Sequence, residues 1–172
     1  MIRVYVTNLA KYNEGLLRGK WLDLPLSEEE LVEEINEILG NDEEYFITDY
    51  EGPVRVEEYD NIEKLNDMAE KLEISGEEEE NIEILAKVID TKEELVEILE
   101  NGDYIIVPNV YTYKELAESA LYGEVTESLL PFNIEDVRNA GAESYIDWES
   151  VGRELDIDGW FIEGGKAVKV IE

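Results

Sequence analysis

Residues 2–9, IRVYVTNL, alternate apolar and polar side chains and are rich in β-branched types, which predicts a strand. KYNEGLLRG, with its two glycines, predicts a loop, and KWLDLP a second strand closed by Pro25. Ser27 then opens a capping box in which Glu30 reaches back to the Ser27 amide. The helix that follows places Leu31, Ile35, Ile38 and Leu39 on one face and stops at Gly40-Asn41. YFITDY and VRVEEY, split by Gly52-Pro53, again predict strands, so residues 1–60 form an α+β lobe with an antiparallel sheet.

From Asn61 the period becomes helical. Ile62, Leu65, Met68, Ala69 and Leu72 make one apolar stripe, broken at Ser75-Gly76. A second helix begins in SGEEEENIEIL and turns Ile82, Leu85, Val88 and Ile89 inward. Thr91 to Glu94 is another capping box, ahead of Leu95, Val96, Ile98 and Leu99, and Asn101-Gly102 is the stop. This helical lobe covers 61–102. The last lobe, 103–172, opens with YIIVP, a short buried strand. Thr112 to Glu115 is a third capping box, before a helix that ends near Gly123, and helical pieces continue over 126–139. Asp147 caps the helix WESVGREL, and WFIEGGKAVKV is a hairpin turning at Gly164-Gly165. No internal repeat or low-complexity linker separates these parts. The predicted fold class is α+β, an elongated chain of three small lobes.

Charge changes the picture. The chain has 172 residues, of which 14 are Lys or Arg and 45 Asp or Glu, for a formal net charge of -31. The hydrophobic fraction, 44%, supports a real core, so the charge does not imply disorder. Residues 1–60 carry 5 basic and 16 acidic side chains, 61–100 carry 4 and 14, and 101–172 carry 5 and 15. An acidic tail would concentrate the excess at one end; here it is uniform. Such a surface repels nucleic acid and anionic membrane, and any partner should be strongly basic.

Cysteine and histidine are absent, which removes disulfides, Cys/His zinc sites and histidine-dependent nucleophilic mechanisms. No stretch approaches a membrane span and no basic leader is visible, so a cytoplasmic protein is expected. ELDIDGWFIEGG places Glu154, Asp156 and Asp158 like the first ligands of a calcium loop, but the last ligand position is Gly165. A helix end leading into a turn explains those residues equally well. No phosphate-binding glycine motif occurs, and carboxylate pairs carry no signal in a chain with 45 acids. Salt adaptation is a further account of the charge. The acids, however, are 34 Glu and 11 Asp, which leans toward acidic helices, since Glu is the better helix former.

Glu77, Glu78, Glu79 and Glu80, with Glu83 close behind, concentrate the question. Acids near a helix N-terminus are favoured by its dipole, and that explains the run locally. It does not explain why every lobe is acidic. Duplex DNA carries one charge per about 1.7 Å of axis, so this net charge equals that of about 50 Å of duplex. A protein polyanion competing with DNA for a basic cleft accounts for both facts.

VYVTNLAKYNEGLLRGKWLDLP, the acidic capped helix after it, and YIDWESVGRELDIDGWFI resemble the ArdA antirestriction proteins in order and spacing. Tyr5, Asn8, Leu9, Tyr12, Asn13 and Gly15 carry the most distinctive part; the middle lobe matches in its acidic, amphipathic character. The resemblance implies a DNA mimic carried by mobile genetic elements. It would occupy the DNA-binding groove of type I restriction-modification enzymes, block restriction and modification, and dimerise through the C-terminal lobe. It implies no enzyme activity and no cofactor. The expected mimicking surface is Glu28, Glu29, Glu33, Glu37, Glu70, Glu77, Glu78, Glu79, Glu80, Glu83, Glu93, Glu97, Glu118, Asp136, Glu143 and Glu149.

A homodimer of such chains needs a contact poor in acids. The stretch from Val107 to Val125 fits, with Val110, Tyr111, Leu121 and Tyr122 as interface candidates. Its apolar side chains could equally cover the lobe's own core. The competing functional classes are a carboxylate-rich, metal-dependent hydrolase and a decoy for another basic DNA-binding protein.

Overall fold

β1 (Ile2–Asn8) is the central strand of a three-stranded antiparallel sheet, flanked by β2 (Gly19–Leu24) and β3 (Tyr45–Glu51). Its alternation decides which face is dry: Ile2, Val4 and Val6 are all buried, while Arg3 and Tyr5 lie on the wetter face. The computed structural model describes residues 1–123 and 130–171. The part of the helical stretch expected over 126–139 that falls on 126–129, together with Glu124 and Val125, lies outside the described residues.

KYNEGLLRG is not wholly a loop. Leu9–Asn13 forms a short helix, α1, because Asn8 ends the strand and its side-chain oxygen accepts the Lys11 amide at 2.9 Å. The helix α2 (Glu28–Leu39) starts with both halves of the expected capping box, Ser27 with Glu30, and buries Leu31 and Ile38. VRVEEY forms no strand, which corrects the sequence reading. Val54 and Val56 are buried as expected of alternation, but only an isolated bond, Ile47 amide to Glu58 carbonyl at 2.8 Å, ties that segment to β3. Alternation records burial on one side; a strand also needs a backbone partner.

Three helices follow, α3 (Ile62–Ser75), α4 (Glu79–Val88) and α5 (Lys92–Asn101). The α3 stripe is buried as predicted, from Ile62 through Leu72, and so are Leu95, Val96, Ile98 and Leu99 of α5. On α4 the inward residues are Ile82, Ile84 and Leu85, while Val88 is 37% exposed. Ile89, extended just past the helix end, is buried as expected. Residues 1–101 make one compact unit. Within it Asn66 of α3 bonds both backbone groups of Leu26, accepting its amide at 2.7 Å and donating to its carbonyl at 2.9 Å.

The second unit, Gly102–Glu172, holds β4 (Tyr104–Pro108), α6 (Tyr113–Ser119) with a 3-10 turn over Ala120–Tyr122, α7 (Ile134–Asn139), a 3-10 turn over Glu143–Tyr145, α8 (Trp148–Ile157), β5 (Phe161–Glu163) and β6 (Lys166–Val170). The strand order is β4-β6-β5, all antiparallel. In YIIVP, expected to be buried, only Val107 is; Tyr104, Ile105 and Ile106 are half-buried and Pro108 is exposed, because β4 is an edge strand. The β5–β6 turn uses Gly164 and Gly165 at φ 59° and 78°, as a two-residue turn with both centres left-handed requires. The core gathers Val107, Val110, Leu116, Ile134, Leu155 and Trp160. With two small antiparallel sheets and a majority of helix among its regular elements, the fold is α+β.

Candidate functional site: a carboxylate surface

Each amphipathic helix of the first unit turns its apolar stripe inward, and glutamate is the commonest residue on the faces left outside. On α2, Glu29, Glu33 and Glu37 recur every four residues, each step rising about 6 Å along the axis. Glu28, Glu29, Glu33 and Glu37 are all exposed, as are Glu70 on α3, Glu83 on α4, and Glu93 and Glu97 on α5. In the second unit Asp136 and Glu149 stand in the first turns of α7 and α8 and Glu143 in a 3-10 turn, all exposed. Of the expected surface residues only Glu77 and Glu118 are half-buried.

The run at the start of α4 divides its tasks. Glu77 accepts from the Asn81 amide group at 2.7 Å and from the Glu78 amide at 3.1 Å, so it braces the helix entrance. Glu78 is the N-cap by position, without a side-chain cap bond, while Glu79 and Glu80 occupy the first turn, where the dipole favours anions. Glu79 also meets the chain's own N-terminal ammonium at 3.2 Å.

The few cations are largely turned onto the chain itself. Arg3 meets Asp23 at 3.0 Å and Glu51 at 3.3 Å and lies 4.7 Å from the centre of the Trp21 ring. Lys11 pairs with Glu14 at 2.9 Å, Lys71 with Glu100 at 3.3 Å, and Arg55 with Glu57 at 2.8 Å. Lys20 bonds Glu34 and Glu37, and those bonds, Glu34's first, hold its ammonium above the usual range. Lys92 pairs with Asp60, Lys169 with Asp158, and Lys114 reaches Glu149 at 3.7 Å. Arg18 and Arg138 donate to main-chain carbonyls of Glu37 and Leu121. Opposite charges at such exposed sites attract weakly. Their effect on the field is larger: cations beside acids leave the rest of the anionic surface uncompensated.

Carboxyls with lowered affinity for protons serve the helices. Glu30 is held below its usual range by the Ser27 hydroxyl and then the Ser27 amide, and Asp147 by the Ser150 hydroxyl and then its amide. Glu154 and Asp156 lie within α8, and Asp158 follows at its C-cap, the helix-end alternative to a calcium loop. Among the described residues no group of three or more carboxylates is placed to hold a metal ion. The acids spread; they do not converge.

Of the residues expected at a contact between copies, Val110 is 2% exposed and belongs to its own unit's core. Tyr111 is 71% exposed, and Leu121 is half-buried against the same core. The side chain of Tyr122 lies outside what is described. Among the exposed apolar residues of the first unit that escaped the sequence reading are Val32 at 53% and Ile74 at 76%. Their signal was available, since both fall off the buried stripes of their helices. No helix among the described residues is long and apolar enough to cross a membrane.

A family model described as Antirestriction protein (ArdA) matches residues 4–168. No curated protein matches the chain.

Proposed function

From the chain's membership of the ArdA antirestriction family, we propose that it protects DNA by taking DNA's place in the basic groove of a type I restriction-modification enzyme. One observation carries the proposal: exposed carboxylates occupy the helices of both units while most of the cations face carboxylates or carbonyls of the same chain. The protein then presents to a basic cleft what a duplex presents, a dense array of anions. It needs no catalytic residue or cofactor, because occupying the groove is enough to block restriction and modification alike. Its place of action is the cytoplasm, where arriving DNA meets the enzyme.

The test is competition. A labelled duplex bound to a type I enzyme at low salt should be displaced by the purified protein, and displacement should weaken steeply as salt rises, because the contacts are screened charges. Failure to displace DNA from any such enzyme at low salt overturns the proposal. Displacement from an unrelated basic DNA-binding protein, with none from restriction enzymes, would identify a decoy of a different target.

We propose further that the working form is a homodimer joined through the second unit, with Tyr111, Leu121 and Tyr122 at a two-fold contact. Doubling the chain lengthens the duplex it can imitate. Leu121→Asp or Tyr122→Asp should give a folded monomer, and light scattering that finds the unaltered protein monomeric at micromolar concentration and moderate salt would remove the claim.

A further inference from the structure

The first unit contains a groove of about 980 Å³ between α2 and α3, whose apolar floor charge mimicry does not use although its rim includes Glu28 and Glu70 of the expected mimicking surface. We infer that it receives a basic amphipathic helix of a protein partner. Its walls are two matching stripes. On α3, Glu63, Asp67, Glu70 and Ile74 recur at steps of four, three and four, and on α2, Glu28, Val32 and Ile35 recur at steps of four and three. Such spacings put residues on one side of a helix. The floor is mostly apolar, with Leu31 and Ile62 buried and Leu26 and Ile35 half-buried, and its buried Asn66 is already bonded to the Leu26 backbone.

The rim is charged in one sense only. Glu28, Glu63, Asp67, Glu70 and Glu73 line the groove, and no lysine or arginine is among its lining residues. The rim repels an anionic occupant and disfavours a second copy of this chain, which carries the same -31. A helix with an apolar stripe flanked by lysine or arginine satisfies both parts. Its apolar anchors at i, i+3 or i+4, and i+7 fill the floor, and the long basic stems lie along the walls with their heads at the carboxylates. Val32 and Ile74, exposed in the free protein, would be covered by it. The contact differs in kind from screened charge pairing, since burying apolar surface survives added salt.

The experiment needs no restriction enzyme, so its outcome is independent of the competition with DNA. The full chain, with labelled methyl groups, is titrated with a Leu/Lys peptide of about 18 residues, about five turns of amphipathic helix, and with a scrambled peptide of the same composition. The amphipathic peptide should bind about tenfold tighter, the equivalent of burying about two more methylene groups in all than the scrambled one. It should shift the Val32, Ile35 and Ile74 methyl signals, and its advantage should persist at raised salt. The variant Val32→Ser/Ile74→Ser, altered at exposed positions and checked for fold by circular dichroism, should lose the preference. Equal affinity for the two peptides, or an undiminished preference in the double variant, overturns the inference.

Discussion

Asn8 joins two helices with one side chain. Its oxygen accepts the Lys11 amide at the start of α1, while its amide group donates to the Ile38 and Leu39 carbonyls at the end of α2, at 3.2 and 3.1 Å, and to Asp42 at 3.1 Å. The residue is fully buried. Asn8→Ala strands these groups in the dry interior, and urea unfolding should show a loss of about 2–4 kcal/mol, the sum of a lost cap and unsatisfied buried partners. Its neighbours are equally architectural. Tyr5 packs edge-on against Trp21 with ring centres 5.4 Å apart, Tyr12 against Phe46 at 5.1 Å, and Gly15 takes φ 81°. The most distinctive sequence motif of the chain therefore builds a corner of the fold. Tyr113 offers a pH test in the second unit. Burial, and then the neighbouring Asp156 carboxylate, pushes its phenol up to about 12, and the hydroxyl donates to the Trp160 carbonyl at 3.0 Å. Above the unfolded value of about 10, the unfolded chain releases this proton while the folded chain keeps it. The stability present below that pH is lost as pH rises toward 12. Denaturation curves between these limits should be steeper in pH for the unaltered protein than for Tyr113→Phe; identical slopes would show that the phenol is not so held.

At the scale of elements, α6 and α8 approach backbone to backbone. A Cβ on Gly152 would lie 2.7 Å from the Tyr113 carbonyl carbon and 2.8 Å from the Lys114 amide nitrogen. Neither atom can yield as a flexible side chain would, so Gly152→Ala should destabilise the protein by about 1–3 kcal/mol, against the usual gain from alanine in a helix. Calorimetry that finds the variant as stable as the parent would refute this packing. Gly152 shows what the sequence withheld: a helical glycine reads as a weak spot until its neighbour across the interface is known. The capped helices were legible because Ser27, Thr112 and Asp147 announce their starts through local bonds, and each cap is made as expected. The helix α1 was not, since its five residues bury nothing and so have no periodicity to detect. Val54 and Val56 misled in the opposite way, showing the alternation of a strand where no ladder forms. The acidic positions were legible as surface, because an amphipathic helix fixes which side chains face water. The groove was not, because it requires two helices whose relative placement no single stretch encodes.

For the molecule as a whole, charge sets the balance between fold and partner. Changing Glu77, Glu78, Glu79 and Glu80 together to Gln relieves repulsion but also removes anions from the start of α4, and these effects oppose one another. The melting temperature should move by only a few degrees. Affinity for a restriction enzyme should fall by a gradual step, each exposed carboxylate contributing about 0–1 kcal/mol. A single Glu→Gln change that abolished binding would reveal a discrete site in place of a distributed surface.

The separation of buried stripe from outward face on α2, α3 and α5 has a consequence for how such a protein changes over generations. A substitution that swaps an exposed glutamate for a neutral residue on one turn can be offset by an acid gained on another, since neither touches the core. Under the mimicry proposed above, the helices hold a running total in which no digit is fixed. Asn8 and Gly152, by contrast, are fixed digits. Lineages could therefore redraw the outline of the charged face, and with it the range of enzymes opposed, while the scaffold beneath stays the same.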